Sequence, residues 1–359
     1  MFNVKKGLRL GLAVLGVLGI AGCGTNGSSD SDKMQVVATV YPAYDVAKAV
    51  GGDKVDVKLL VPPGAEPHDW EPTASDLKSI GKAKVFLYNG AGLEPTEKLL
   101  TADILQKAKP VELAQFVNLR YVGEDEASHD EDGHEGHTHD GQGHESHDVN
   151  QDAKADHKED TKKDNHEEGH SHDGHSHEGH SHEAGSVDPH IWLNPENVMK
   201  EVDAVVAAFS EVDPSNKAYY EANGKAYKEK LQALDASYKA FAASISNKNL
   251  VVTHEAFGYL ADQYGFKQKG IMGLSPDAEP TPEKMANLVD FIKSNQIKVI
   301  FSEALVNPKL ANAIGKETGV TIYTLNPVEG LTEDQMKSGD NYLTIMEKNL
   351  ATLKEALAK

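Results

Sequence analysis

From Met34 onward, short runs of branched apolar residues alternate with stretches whose apolar positions recur every three or four residues. Val36–Val40, Val55–Val61 and Val85–Tyr88 read as buried strands. Ala43–Val50, Ala74–Gly81 and Thr96–Ala108 read as the helices between them. The rhythm breaks at Gly123 and resumes after Val187 with a helix over Glu196–Phe209. The longest periodic stretch follows, Pro214–Ile245, with Asp213 placed to cap it and Pro214 at its first position. At ~1.5 Å per residue it would reach ~45 Å, the breadth of a two-lobed molecule. Strands at Leu250–Val252, Phe266–Ile271, Val299–Phe301 and Thr321–Leu325 then alternate with helices near Ala256–Tyr264, Pro282–Asn295 and Pro308–Thr318. A last helix covers Asn341–Leu357. The pattern predicts an α/β protein of two lobes, 34–212 and 246–359, each a parallel-type sheet flanked by helices and joined by one long interlobe helix over 213–245.

Composition changes the picture only where the rhythm fails. Gly123–Val187 has 65 residues, 20 acids, four lysines and no aromatic side chain, so it lacks the apolar surface to offset its ordering entropy. It is expected to be a disordered loop within the N-terminal lobe. Fourteen of the 17 histidines lie between His129 and His182. Several form His-x-His units: His137 with His139, His170 with His172, His175 with His177, and His180 with His182. Such units suit weak, polydentate binding of zinc, copper or nickel, which makes these eight side chains candidate auxiliary metal ligands. The whole chain carries a formal charge of −20, which argues against non-specific nucleic-acid binding. The single cysteine, Cys23, excludes an internal disulfide, a cysteine-only zinc site and a CxxC redox pair.

That cysteine belongs to the N-terminal pattern. Lys5, Lys6 and Arg9 precede an apolar stretch from Leu10 to Ile20, too short to span a bilayer, which needs about 20 residues. Ile20-Ala21-Gly22-Cys23 follows, then a polar stretch rich in Gly and Ser. The segment resembles a bacterial lipoprotein signal: residues 1–22 are removed, Cys23 is lipidated and 23–33 serve as a flexible tether. Loss of the three basic residues takes the charge to −23.

Only three histidines lie outside the tract. His68 sits in Gly64-Ala65-Glu66-Pro67-His68-Asp69-Trp70-Glu71-Pro72 after a predicted strand. His190 sits in Asp188-Pro189-His190-Ile191-Trp192-Leu193-Asn194-Pro195 before a helix, and His254 follows Leu250-Val251-Val252-Thr253. Glu303 stands in the matching place after a later strand. Parallel α/β sheets bind ligands at the carboxyl ends of their strands. Pro67 and Pro189 restrict the backbone just before two of the histidines. Three neutral imidazoles and one carboxylate would make a closed tetrahedral shell suited to zinc.

Taken together, the lipoprotein signal, GAEPHDWEP, DPHIWLNP, VVTHEAFGYL, FSEALVNP and TLNPVEGL resemble the metal-binding lipoproteins of ABC transporters (the cluster A-I family), specifically their zinc-uptake, ZnuA/AdcA-like branch. The resemblance spans the mature chain except 123–187. It implies two α/β lobes linked by a rigid helix, metal held in the cleft between them, little domain movement on binding, and delivery to a membrane permease. Carried over by motif, His68, His190 and His254 are the imidazole ligands. A histidine at position 254, where manganese relatives commonly present a carboxylate, favours Zn²⁺ as the transported ion. Glu303 is the expected fourth ligand, with Glu66 or a water as alternatives. Asp69, Glu71, Glu94 and Glu255 are candidate partners for imidazole N–H groups, although a solvated or capping role is the plainer reading of each.

The implied protein is not an enzyme. It is an exported, lipid-anchored monomer on the outer face of the cytoplasmic membrane that hands zinc to an ABC permease, with the histidine tract as scavenger or sensor. A zinc hydrolase would need an open coordination position, and no nucleophile elbow occurs. A manganese carrier and a surface adhesin stand as alternatives.

Overall fold

The computed structural model describes residues 33–122, 186–276, 280–303, 305 and 308–358. The signal segment, Cys23 and the tether up to residue 32 lie outside the described residues. So do the auxiliary metal ligands expected in the histidine tract, namely His137, His139, His170, His172, His175, His177, His180 and His182.

The first half runs β1 (Met34–Ala38), α1 (Tyr41–Gly51), β2 (Val55–Leu59), α2 (Ala74–Lys82), β3 (Val85–Tyr88), α3 (Thr96–Leu99), α4 (Ala102–Leu105) and β4 (Lys109–Glu112). Two long helices follow, α5 (Pro195–Val212) and α6 (Lys217–Ser244). The second half runs β5 (Asn249–Val252), α7 (Gly258–Tyr264), β6 (Lys267–Gly270), α8 (Pro282–Ser294), β7 (Val299–Ser302), α9 (Lys309–Thr318), β8 (Thr321–Thr324), α10 (Glu333–Ser338) and α11 (Tyr342–Leu357). Each half builds one four-stranded parallel sheet, in the orders β2-β1-β3-β4 and β6-β5-β7-β8. The two orders are the same topology used twice.

Strand side chains alternate between two buried faces, as covered parallel strands require. Val36 and Ala38 of β1 join the central core, while Val37 faces an outer cluster with Ile80 and Phe86. Leu250 and Val252 of β5 join the same central core, while Val251 faces Ile300, Leu288 and Ile314. The central core takes Tyr227, Leu231 and Tyr238 from α6 and Ile345 and Leu350 from α11, so it is continuous through both halves.

Local sequence explains most boundaries. Asn194 caps α5 by accepting from the Glu196 amide, with Pro195 in the first turn. Asp213 accepts from Ser215, Asn216 and the Tyr220 hydroxyl, closing a short 3₁₀ turn over Pro214–Asn216 before α6 proper begins. Two expectations needed correction. The helix read over 96–108 is two single turns, because Thr101 is extended and Gln106 adopts φ +50°. Strand β4 was not foreseen, since Pro110 lies within it; it occupies a sheet edge, where a residue without an N–H is tolerated. The insertion also closes earlier than expected: Tyr121 pairs with Val187 in an antiparallel bridge and the Val122 amide donates to the Ser186 carbonyl. No helix of the described residues is long and apolar enough to cross a membrane.

Candidate metal centre

Four segments meet between the two sheets. After β2, Pro67–Asp69 forms a 3₁₀ turn that carries His68; the Glu66 carboxylate accepts from the His68 amide at 3.2 Å. Asp188 does the same for the His190 amide at 3.0 Å, just before a 3₁₀ turn over Ile191–Leu193 leads into α5. His254 stands two residues past β5. The fourth segment is the loop Leu325–Leu331 after β8, fixed by Asn326, whose side chain accepts from the Val328 amide at 2.7 Å. Asn349 of α11 brackets Asn326 with bonds of 2.9 and 2.7 Å. Trp192 donates its indole N–H to the Pro327 carbonyl at 2.7 Å, and the Gly64 amide donates to Leu331 at 3.0 Å. The His190 turn and the His68 loop are thus both fastened to the loop that carries Glu329.

Among the described residues, His68, His190, His254 and Glu329 bring ligand-capable atoms within 4.8 Å of one another. His190 Nε2 lies 3.2 Å from His68 Nε2 and 3.1 Å from His254 Nε2. Glu329 Oε1 lies 2.8, 3.4 and 3.7 Å from the Nε2 atoms of His190, His254 and His68. A tetrahedral zinc ion with bonds of about 2.0–2.1 Å would set its ligands about 3.3 Å apart, and the observed separations bracket that value. Glu329 Oε1 is buried with no well-directed hydrogen bond, facing three nitrogens that crowd one another. A cation at the centre resolves that crowding; neutral imidazoles alone do not.

Two of the rings are oriented from behind. His190 Nδ1 donates to Asp188 Oδ1 at 2.8 Å, and His254 Nδ1 faces both Glu303 oxygens at 2.8 and 2.9 Å. Either contact puts the proton on Nδ1 and turns the Nε2 lone pair toward the cluster. Glu303 therefore sits elsewhere than expected. It accepts from the Thr253 hydroxyl at 3.0 Å and from His254, on the far side of the imidazole from the cluster, while Glu329 takes the fourth place. Glu66, the alternative, is tied to the His68 backbone beside the cluster. Burial and the neighbouring Glu329 charge push its carboxyl up to about 8. Of the other candidate carboxylates, Asp69 is exposed, Glu71 pairs with Lys98, Glu255 accepts from the Gly270 amide and Glu94 holds the turn after β3.

The electrostatics are those of a site waiting for positive charge. Burial disfavours imidazolium at His254, but Glu303 and Glu329 outweigh it and hold its pKa well above the ordinary histidine value. Burial likewise opposes charge at His190, where Asp188 and Glu329 carry the pKa upward. At His68, the most exposed of the three, burial prevails over Glu329 and the pKa falls. Glu329 is driven well below the usual carboxylate range, the imidazoles overcoming its burial.

A family model for the periplasmic zinc-uptake complex component A, ZnuA, matches residues 36–356. The chain belongs to this family. Among curated relatives of this ZnuA-family protein, the high-affinity zinc uptake system protein ZnuA of Bacillus subtilis is 38% identical over 343 residues, covering 94% of this chain and 93% of the relative. The zinc-binding lipoprotein AdcA of Streptococcus pneumoniae is 36% identical over 351 residues, covering 98% of this chain. The chain spans only 61% of that relative's length. The crystal structure of the Zn(II)-bound ZnuA-like domain of Streptococcus pneumoniae AdcA matches with a TM-score of 0.66 and 33% identity, covering 91% of this chain and 100% of that domain.

Glu329 is the ligand-capable residue that the sequence reading passed over. It lies five residues beyond the end of β8, not at a strand terminus, and is the only carboxylate within TLNPVEGL. Its neighbour Val328 adopts φ +60°, a conformation that costs a β-branched residue on the order of 1–3 kcal/mol and tends to mark functional loops.

Proposed function

We propose that this protein is the extracytoplasmic zinc-binding component of an ABC importer. It takes up Zn²⁺ between its two halves through His68, His190, His254 and Glu329 and passes it to a membrane permease. Asp188 and Glu303 orient the imidazoles. The observation that carries this reading is the buried set of three Nε2 atoms and one carboxylate oxygen at tetrahedral spacing. Such a nitrogen-rich set suits zinc better than manganese, and a shell closed by four protein ligands leaves no position for a hydrolytic water. The role is capture and transfer, without catalysis.

In the same proposal, residues 1–22 are a cleaved signal, Cys23 carries the lipid that holds the protein at the outer face of the cytoplasmic membrane, and 23–33 are the tether. The lobes are 34–212 and 246–359, the helical link is 213–245, and the protein acts as a monomer. The histidines of 123–187, with the four His-x-His units among them, form an auxiliary, weaker zinc store whose tethering raises the local concentration near the main site.

Calorimetric zinc titration of the soluble 24–359 protein tests the division of labour beside a 123–187 deletion and Glu329→Ala. One tight site should survive the deletion, with the weak ones lost, and Glu329→Ala should weaken the tight site about a hundredfold or more. Loss of tight binding on deletion would place the principal site in the tract and overturn the assignment.

A further inference from the structure

Asp188 does two jobs for His190, accepting from its amide and from its Nδ1. Both use Oδ1. The other oxygen, Oδ2, is fully buried without a hydrogen bond, and Nη1 of Arg120 lies 3.5 Å from it. Arg120 belongs to neither sheet. It stands at the foot of the insertion, where its carbonyl accepts from the Asp188 amide at 2.8 Å. From there it reaches into the C-terminal half: Nε pairs with Asp262 of α7 at 3.0 Å, and its amide donates to the Tyr259 hydroxyl at 2.9 Å. That hydroxyl in turn donates to the Asp188 carbonyl at 3.0 Å.

The pair rests on Gly258, the first residue of α7. A Cβ there would come 2.5 Å from Asp188 Oδ2 and 2.8 Å from Arg120 Cζ, so only glycine lets the carboxylate and guanidinium lie against the helix. Two aspartates in different halves thus share one guanidinium, and the nearer of them in sequence to His190 sets the angle of its imidazole.

We propose that Arg120 is a positioning residue of the zinc site, clamping Asp188 between the two halves so that His190 Nε2 stays aimed at the metal. The inference rests on the zinc reading above. A buried carboxylate that lost its counter-charge would turn toward water, and His190 would lose its fixed orientation. Arginine suits the task because its planar fork meets Asp188 and Asp262 at once, which a lysine ammonium on a flexible stem does not.

The test is chelator-competition zinc titration of the soluble protein carrying Arg120→Ala, Arg120→Lys, Asp188→Asn, the Arg120→Ala/Asp188→Asn pair, Gly258→Ala and His254→Ala. Each variant is also loaded with Co²⁺ and its d–d absorption recorded. Asp188→Asn should weaken zinc ten- to a hundredfold and Arg120→Ala about tenfold, the double variant being no weaker than Asp188→Asn alone. Arg120→Lys should recover only part of the loss. Gly258→Ala, which keeps both charges but displaces them, should reproduce the weakening if Arg120→Ala folds poorly. The Co²⁺ bands should change in Arg120→Ala, whereas a loss confined to general stability would leave them as in the wild type. Unchanged affinity and spectra in Arg120→Ala and Gly258→Ala, or a full additional loss in the double variant, would overturn the clamp. His254→Ala separates the two ideas: its failure to weaken zinc would overturn the site itself, whereas its collapse beside an unaffected Arg120→Ala would overturn only the clamp.

Discussion

The two sheets solve the same problem at their centres and put the answer to different uses. Thr39 follows β1 and Thr253 follows β5; each donates its amide across the sheet, to Leu87 and Phe301, at 3.0 Å. Each also gives its hydroxyl to a buried carboxylate, Glu94 in the first half and Glu303 in the second. In the first half the next residue is Val40, and Glu94 accepts from the amides of Asn89 and Gly90 at 2.7 and 2.9 Å. In the second half the next residue is His254, and Glu303 holds its ring. One position after a threonine therefore separates a structural brace from the candidate metal centre. Lacking a histidine there, the first half supplies its imidazoles from outside the switch point, His68 beyond β2 and His190 after the insertion.

The largest effect should come from the ligand that grows directly out of a strand. His254→Ala should weaken zinc on the order of a thousandfold, more than His68→Ala, because His254 is fully buried and braced whereas the His68 side chain is 11% exposed on a loop. Chelator-competition assays read both, and a larger loss at His68 would reverse the ranking of the two halves.

The dependence on pH comes next. His190 and His254 have folded pKa values above the ordinary ~6.5, so zinc displaces a proton from each in mildly acidic solution. Affinity should fall about a hundredfold per pH unit once acidification passes below both raised values. The metal-free protein should behave oppositely. These raised values contribute stability that is fully present below ~6.5 and is lost as pH rises through the folded values. Melting curves of metal-free and zinc-loaded protein should therefore diverge with rising pH; parallel curves would refute the proton–metal exchange.

The smallest effects sharpen the contrast between the threonine–carboxylate pairs. Glu303→Gln should weaken zinc about tenfold with little change in metal-free melting. Glu94→Gln should lower stability by about 1–3 kcal/mol, because an amide cannot accept from all three donors, while zinc affinity changes less than in Glu303→Gln. Paired thermal melts and zinc titrations would expose any exchange of those roles.

The alternation of apolar runs was enough to read the centre of each sheet and the long helix, because the inner strands β3, β5 and β7, covered on both faces, leave clear apolar blocks. It was not enough for β4, whose Lys109-Pro110-Val111-Glu112 has one fully buried apolar side chain. His68, His190 and His254 were legible because no other histidine lies outside the tract. Glu329 was not, since one carboxylate in a loop looks like any other until Asn326, Asn349 and Trp192 are seen to fold that loop inward. Glu303 lies elsewhere for a physical reason: its strand end points toward the histidine cluster, but its carboxylate meets the back of the His254 imidazole. Asp188 escaped notice because its effect on a histidine two residues away depends on a turn that spacing alone does not reveal.

The continuous core along α6 bears on timing. Tyr227, Leu231 and Tyr238 pack into the same apolar mass as β1 and β5, so a wide swing of one half away from the other would have to tear open buried surface. In the zinc-carrying role proposed above, a body built like a stiff beam would not release the ion by yawning. Release in that role would be paced by how fast individual metal–ligand bonds break, one ligand at a time, rather than by the parting of the two halves.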